Sequence, residues 1–250
     1  MQRIGDIRNP FHSAPVYYIE KTGSTMDLAR EMIRGRYQSG TVIWAGYQSK
    51  GRGRFPERIW EAEKDEDLLF SMILDAGDIP VTALLLPLIL GLSVSLSLEK
   101  MFGIKSELKW PNDVLIHGKK VSGTLCESKH GVFITGTGIN CGNTEFSRFT
   151  REKAVSISEI SDVTVSRKQI LSEYLRYFHA LLRSKDILRE INNRLFMKGE
   201  FLSIRKGIGG DSECITARIT GVEKDGALLI RNDEKEEKIY SGELLFPASE

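Results

Sequence analysis

The longest apolar run of the 250-residue chain extends over residues 81–98, and most of it must be buried in any stable fold. Its length approaches that of a membrane-spanning helix, but Pro87, Gly91 and several serine and threonine hydroxyls interrupt it. These interruptions favour a buried core helix over a membrane span. The run therefore predicts a globular domain built around one central helix.

The charge and cysteine content narrow the class of protein further. With 35 Lys+Arg against 34 Asp+Glu, the formal net charge is +1, so recognition of a charged partner has to come from a local cluster. Cys126, Cys141 and Cys214 lie far apart without a CxxC pair, which argues against a disulfide framework or a zinc ribbon. The first ten residues lack the apolar stretch of a signal peptide. These features predict a cytoplasmic protein.

Along the first two hundred residues, runs of predicted strands are mixed with predicted helices, without strict β-α-β alternation. Ser24 and Asp27 resemble a capping box at the start of a helix over residues 24–35. Apolar residues at steps of three and four predict further helices over 170–182 and near 187–197. Runs rich in β-branched and aromatic residues predict strands at 41–45, 68–74, 113–116, 121–126 and 132–137. His117-Gly118 predicts a hairpin between the strands at 113–116 and 120–126. This order favours an α+β fold.

The pattern changes after Lys198. Short strands are predicted at 201–205, 213–222, 227–232 and 237–241, separated by turns at 207–210, 224–226 and 232–234. Their even spacing is typical of a small all-β barrel. We therefore expect two domains, 1–198 and 199–250.

The segment Gly-Arg-Gly-Arg at residues 51–54 follows a predicted strand. Glycines let the backbone approach a ligand closely, and arginines supply charge and several donors, so a phosphate or carboxylate is the expected guest. A solvated basic turn and an RNA-contacting patch are alternatives. Five acidic residues between 61 and 67 weigh against RNA. They predict a solvated, mobile loop that orders over a bound ligand.

A second segment, Lys-Trp-Pro-Asn-Asp at residues 109–113, precedes the hairpin. Strand alternation places Lys119 and Lys120 on opposite faces, so only one of them can point into a site. An ordinary surface hairpin is the alternative. A third segment, Thr-Gly-Thr-Gly-Ile-Asn at 135–140, has glycines that let backbone lie against a ligand, and a plain bend at the end of a strand explains it equally well.

Taken together, these segments resemble the biotin protein ligase family, in a short form without an N-terminal DNA-binding domain. The match includes Gly-Ser-Thr at 23–25, the loop 48–54, the segments 109–113, 120–123 and 136–140, and Asp-Gly-Ala-Leu at 225–228. The resemblance implies a mixed central sheet with flanking helices, of the class II synthetase-like type, followed by a small SH3-like β-barrel.

The resemblance implies a two-step reaction. Biotin and ATP first give biotinyl-5′-AMP and pyrophosphate, and a lysine of a carboxylase biotin carrier domain then takes the biotinyl group. By similarity, the catalytic residues are Lys120, Arg54 and Asp113, with Asp113 also a ligand for Mg²⁺. The biotin-binding set is Ser24, Thr25, Met26, Gln48, Arg52, Gly53, Arg54, Lys120, Gly123 and Gly136. The ATP-binding set is Arg52, Arg54, Trp60, Asn112, Lys120 and Asn140.

Two positions depart from the family pattern. Met26 stands where a polar residue is common, so its contact with biotin is expected to be through the backbone, and the segment before Trp60 is one residue longer than usual. About fifteen residues precede the catalytic core, which predicts no binding to a DNA operator. The alternatives are a lipoate or octanoate transferase of the same superfamily, and a non-catalytic module that binds biotin or RNA. A homodimer is one option for its assembly.

Overall fold

The computed structural model describes residues 1–55, 57–207, 212–232 and 235–245. The described residues form two β-sheets with helices packed on the larger one, which confirms the α+β class. The helices are α1 (Thr25–Met32), α2 (Leu86–Phe102), α3 (Arg148–Arg151), α4 (Arg167–Leu181) and α5 (Ile187–Asn193). The strands of the larger sheet are β1 (Gln2–Ile4), β2 (Val16–Thr22), β3 (Thr41–Gln48), β4 (Leu68–Asp75), β5 (Glu107–Lys109), β6 (Asp113–Ile116), β7 (Lys119–Lys129) and β8 (Val132–Ile139).

The larger sheet is mixed, with the strand order β1-β2-β3-β4-β8-β7-β6-β5. Strands β2 and β3 are parallel and joined by α1, and the other neighbours are antiparallel. The sequence patterns indicated β3, β4, β6, β7 and β8 but missed β1, β2 and β5. Strands β1 and β5 have three residues each, too few to show a period, and they form the two edges of the sheet.

Helix α2 forms the centre of the core, as the apolar run predicted. It begins at Leu86 rather than near residue 81, because Pro87 is tolerated only in the first turn of a helix. It ends at Gly103, whose φ of 67° suits a left-handed C-cap. Ile89 and all of its leucines except the half-buried Leu96 are almost fully buried between the sheet and α4. Within the described residues, none of the helices is both long and apolar enough to cross a membrane.

The predicted capping box at the start of α1 is wrong. Ser24 is the N-cap residue, but its side chain makes no capping hydrogen bond, and it is buried. Asp27 pairs instead with Arg30 and with Arg52 of the glycine-arginine loop. A charged partner supplied by another segment therefore outweighs the local cap.

The smaller sheet is antiparallel and contains β9 (Phe201–Lys206), β10 (Glu213–Val222), β11 (Leu228–Asn232), β12 (Lys235–Ile239) and β13 (Gly242–Leu244). Its order is β12-β11-β10-β9-β13. The single strand predicted at 237–241 is replaced by β12 and β13 on either side of Tyr240. The turns predicted at 207–210 and 232–234 lie partly outside the described residues, and the division into domains 1–198 and 199–250 stays a prediction.

The turn before β11 contacts Thr82 and Trp110 and so holds the smaller sheet against that part of the chain. Trp110 Nε1 donates to Gly226 O over 3.1 Å, and Thr82 Oγ1 donates to Asp225 O over 2.7 Å. Gly226 has a φ of 90°, and a Cβ there would lie 2.5 Å from the backbone nitrogen of Leu85. Only glycine fits this close approach. The contact fixes the segment 109–113 against the smaller sheet.

Candidate functional site

The glycine-arginine loop folds back on itself as a tight hairpin. Trp60 N donates to Gly51 O over 3.1 Å, and Gly53 N donates to Arg58 O over 2.7 Å. A Cβ at Gly53 would lie 2.8 Å from Arg58 Cβ, and one at Gly51 would lie 2.9 Å from Trp60 O. The glycines therefore permit the close approach that returns Trp60 to the surface of the sheet.

Two of three neighbouring glycines on β7 and β8, Gly123 and Gly138, leave space for that tryptophan. Gly123 pairs with Gly138 across the two strands, and Gly136 lies two residues along β8. A Cβ at Gly138 would come within 2.6 Å of Trp60 Cε2, and one at Gly123 within 3.1 Å of Trp60 Cζ3. Because these glycines have no side chains, the two strands expose bare backbone here. The indole ring of Trp60 lies on this surface, which we call the floor.

A chain of polar groups lies at one side of this floor. Thr25 donates to Gln48 Oε1 through its backbone nitrogen, over 2.7 Å, and through its hydroxyl, over 3.0 Å. The Thr25 hydroxyl also contacts Ser71 Oγ at 2.7 Å. The sequence patterns missed Ser71, and the available signal was a lone hydroxyl inside an otherwise apolar strand. The network connects α1, β3 and β4 at one point.

These groups enclose a first cavity. It lies between the start of α1 and the glycines of β7 and β8, and most of its walls are neutral. Its lining residues are Ser24, Thr25, Met26, Gln48, Arg52, Trp60, Leu69, Phe70, Gly123, Leu125, Gly136, Thr137 and Gly138.

A second cavity lies on the other side of Trp60 and is strongly charged. It brings together the glycine-arginine loop, the segment 109–113, the start of β7 and one residue of the smaller sheet. Its lining residues are Gly53, Arg54, Arg58, Ile59, Trp60, Lys109, Trp110, Pro111, Asn112, Asp113, Lys120 and Glu243. Arg54 and Lys120, from distant parts of the sequence, therefore face one common cavity.

Ion pairs organise the second cavity. Lys120 Nζ lies 2.7 Å from Asp113 Oδ1 and forms an ion pair with it. Arg58 forms a bidentate pair with Glu243, with distances of 2.6 and 2.9 Å. Arg54 Nη2 donates to Gly242 O over 2.5 Å. Strand β13 thus holds two arginines of the loop in place.

The lining of the second cavity has more cations than anions. Arg54, Arg58, Lys109 and Lys120 face only two carboxylates, Asp113 and Glu243. Burial lowers the pKa of Lys109 to about 8, against the opposing effect of Asp113 and Glu243. Burial also lowers the pKa of Arg54. An anionic ligand would relieve both effects, so the cavity suits a phosphate or carboxylate group.

Other predicted residues lie around the cavities in different ways. Lys119 is exposed, so Lys120 is the lysine that faces the site. Asn112 lines the second cavity, and its side chain donates to Thr124 O over 2.9 Å. Asn140 is buried outside the lining of both cavities and donates to Lys120 O and Val155 O, each over 3.2 Å. Arg52 lines the first cavity and pairs with Asp27 at 2.7 Å.

The acidic loop over residues 61–67 is only in part the solvated segment that its composition indicated: Glu63 and Glu66 are exposed, but other carboxylates of the loop have tertiary partners. Asp67 is fully buried, and its Oδ1 accepts a hydrogen bond from Cys141 N over 2.9 Å. Asp65 accepts from Tyr18 Oη over 3.0 Å and lies 3.3 Å from Arg167. Burial raises the pKa of Asp67 to about 7, although backbone hydrogen bonds oppose the shift. Tertiary partners therefore replace water around these carboxylates.

Comparison with known proteins identifies the family. The model of the Biotin/lipoate A/B protein ligase family matches residues 18–143, and that of the Biotin protein ligase C terminal domain matches residues 207–246. The chain belongs to the Biotin/lipoate A/B protein ligase family. All lining residues of the two cavities lie within the first matched range, 18–143, except Glu243, which lies within the second matched range, 207–246.

Individual members of the family are similar over most of the chain. The bifunctional ligase/repressor BirA of Bacillus subtilis is 29% identical over 91% of this chain and 72% of its own length. The biotin--[acetyl-CoA-carboxylase] ligase of Mycobacterium tuberculosis is 32% identical over 65% of this chain and 62% of its own. The structure of the biotin protein ligase from Aquifex aeolicus in complex with biotin and ATP matches with a TM-score of 0.80 and 32% identity, over 92% of this chain and 97% of that one.

The two departures from the family pattern have clear positions in this member. Met26 is buried, and a Cβ at Gly136 would lie 2.7 Å from its sulfur, so the thioether forms one wall of the first cavity. In the segment before Trp60, Gly53 N donates to Arg58 O over 2.7 Å. Trp60 contributes to the lining of both cavities.

Proposed function

We propose that this protein joins biotin to ATP, giving biotinyl-5′-AMP and pyrophosphate, and then transfers the biotinyl group to a lysine of a carboxylase biotin carrier domain. The observation that carries the proposal is that the two cavities lie next to each other. A neutral cavity with convergent hydrogen-bonding groups and a cationic one share Trp60 in their linings, and Lys120 Nζ lies 5.4 Å from the centroid of that ring. A ligand with a polar ring, an apolar chain and a carboxylate at its end suits such a pair.

The first cavity is the proposed biotin site. Burying the ureido ring requires paired donors and acceptors, and Ser24, Thr25 and Gln48 supply them. The glycines at 123 and 136 leave room for the thiophane ring and chain, and Met26 contributes apolar contact. Arg52, Gly53, Arg54 and Lys120 complete the proposed biotin-binding set.

In the first step a carboxylate oxygen of biotin attacks the α-phosphorus of ATP, and pyrophosphate leaves with the bonding pair. Negative charge grows on the transferred phosphate, and Lys120 and Arg54 are the proposed groups that stabilise it. Such preorganised donors are each worth ~3–4 kcal/mol at the transition state. Arg52, Trp60, Asn112 and Asn140 complete the proposed ATP site, with Asn140 acting through the backbone of Lys120.

In the second step the amine of the acceptor lysine attacks the acyl carbon of the adenylate. The acyl–oxygen bond breaks, AMP leaves, and the amine loses its proton. Asp113 lies 2.7 Å from Lys120 and is the proposed carboxylate that orients the cations and the incoming lysine.

We include Mg²⁺ among the proposed cofactors. Within the described residues no group of three or more His, Cys, Asp or Glu forms a metal site. Mg²⁺ commonly binds through one or two carboxylates plus substrate phosphates, and Asp113 in the charged cavity fits that mode. When bound, the ion would neutralise phosphate charge, while the side chains of the cavity orient the substrates.

We propose that the protein acts on a biotin carrier domain in the cytoplasm and that it binds neither operator DNA nor a membrane. A homodimer is one option for its assembly. A specific shift of a biotin operator fragment at physiological salt would contradict the absence of DNA binding. We retain 1–198 as the proposed catalytic domain and 199–250 as the C-terminal SH3-like barrel.

Pyrophosphate release tests the function. We expect release only when biotin and ATP are both present, followed by the mass gain of one biotinyl group on a carrier domain. Release with lipoate or octanoate but not with biotin would instead favour the transferase alternative. Biotin binding without pyrophosphate would favour a sensor, and RNA binding alone would favour the RNA-contacting module.

A further inference from the structure

Glu61, directly after Trp60, connects the ligand loop to a distant segment. One carboxylate oxygen accepts from Ser147 N over 2.9 Å, and the other accepts from the hydroxyls of Ser147 and Thr150, each over 2.7 Å. Burial opposes ionisation, but these three hydrogen bonds outweigh it and lower the pKa of Glu61. The ionised carboxylate therefore holds this part of the loop against Ser147 and Thr150 at neutral pH.

The segment that receives Glu61 is itself joined to Lys120. Lys153 N and Ala154 N donate to Thr150 O over 2.9 and 2.8 Å. Lys120 N in turn donates to Lys153 O over 2.7 Å, and Val155 N donates back to Lys120 O over 3.0 Å. A continuous path of hydrogen bonds thus leads from Glu61 to the backbone of Lys120.

Trp60 lies where these two ends meet. Its ring is on the floor formed by Gly123 and Gly138, and Lys120 Nζ lies 5.4 Å from its centroid. Its Nε1 is buried and has no hydrogen-bond partner among the described residues. Contact with the floor and the neighbouring backbone therefore fixes the ring, rather than a bond of its own.

We propose that Glu61 is a positioning residue: by fastening the loop to residues 147–150, it holds the Trp60 ring between the two cavities and slows the escape of the adenylate. The proposal rests on the proposed function. The adenylate would extend from one cavity to the other past this ring, so a looser ring opens a way out. Formation of the adenylate depends on Lys120 and Arg54 and should change little.

Glu61→Ala tests the proposal, with Glu63→Ala as the matched control. The control removes the same charge from the same loop, but the Glu63 side chain is exposed. Hydrogen bonds to a charged group suggest a roughly five- to tenfold faster release of adenylate in Glu61→Ala, with single-turnover formation within about twofold of wild type. Release as slow as in Glu63→Ala would overturn the proposal.

Acrylamide quenching of tryptophan fluorescence gives a readout that needs no activity. Trp44 and Trp110 are buried, so Trp60 accounts for most of any change. Quenching should rise in Glu61→Ala and stay unchanged in Glu63→Ala; equal quenching in both would reject the positioning role. If the wild-type protein releases no pyrophosphate from biotin and ATP, the proposed function fails, and the quenching result still decides whether Glu61 holds Trp60.

Thr150→Val provides a second variant for the case that Glu61→Ala does not fold. It removes one donor to the carboxylate with little change of shape. We expect the same direction of change in release and quenching from Thr150→Val alone. Where Glu61→Ala does fold, the double variant should add little to the single one. Fully additive effects would show that the two residues act separately and would contradict the proposal.

Discussion

The two cavities on either side of Trp60 differ in what forms their walls. The first is built almost entirely from neutral groups: hydroxyls, an amide, a thioether and the bare backbone of three glycines. The second is lined by four cations and two carboxylates. A ligand in the first is selected by shape and hydrogen bonds, whereas a ligand in the second is selected by charge.

The two cavities also differ in how many parts of the chain they need. The neutral cavity is formed by the larger sheet, the start of α1 and the loop that carries Arg52 and Trp60. The charged cavity also requires Glu243 and the Gly242 carbonyl from β13, which bind Arg58 and Arg54. Docking of the smaller sheet therefore affects the arginines of the charged cavity directly, and the neutral cavity only through the loop.

The largest effect should come from a cation of the charged cavity. Lys120→Ala is expected to slow single-turnover adenylate formation by ~10²–10³-fold, because a preorganised donor is lost at the developing charge. Biotin should still enter the neutral cavity. Lys119→Ala is the matched control, since Lys119 is the neighbouring lysine on the exposed face. Similar rates in both variants would show that the charge argument concerns the wrong lysine.

Arg54→Gly should have the next largest effect. Its guanidinium is partly buried and donates to the smaller sheet, so its loss should loosen that contact and release adenylate about 10- to 30-fold faster, in keeping with a charged hydrogen bond. Biotinylation of bystander lysines measures the escape. Arg36→Gly removes an exposed arginine and should leave escape unchanged. Retention of adenylate equal to wild type would contradict the role of Arg54.

The same contrast explains what could be predicted from the sequence. The hairpin of β6 and β7 was predictable from the His-Gly pair between two strand-like runs, and His117 and Gly118 have the positive φ values, 49° and 75°, of a tight primed turn. Strand alternation predicted that only one of the two lysines faces inward, and the resemblance indicated Lys120. Glu243 was missed, because its role depends on how two sheets dock. The acidic loop was misinterpreted for a related reason: composition cannot show that Tyr18, Arg167 and Cys141 lie beside its carboxylates.

A smaller effect is expected from filling the neutral cavity. In Gly136→Ala the new methyl group would lie 2.7 Å from Met26 Sδ, and such overpacking costs about 1–2 kcal/mol. Biotin affinity, measured by calorimetry, should fall by roughly tenfold, with ATP binding unchanged. Gly77→Ala is the control, because a Cβ there meets no atom within 4 Å. Loss of ATP binding instead of biotin binding would reverse the assignment of the two cavities.

The smallest effect on activity is expected at Asp67, a buried acid that lines neither cavity. Burial raises its pKa from the ordinary 3.8 to about 7, so between these values the folded protein binds a proton that the unfolded chain has lost. The free energy of unfolding should therefore fall as pH rises from about 4 to about 7, by at most about 4 kcal/mol. Asp67→Asn should remove this decline and leave adenylate formation unchanged. Denaturant unfolding between pH 4 and 8 measures it, with Asp162→Asn, an exposed acid, as the control. An unchanged pH profile in Asp67→Asn would show that another group titrates, and a loss of activity without a loss of stability would place Asp67 in the catalytic site.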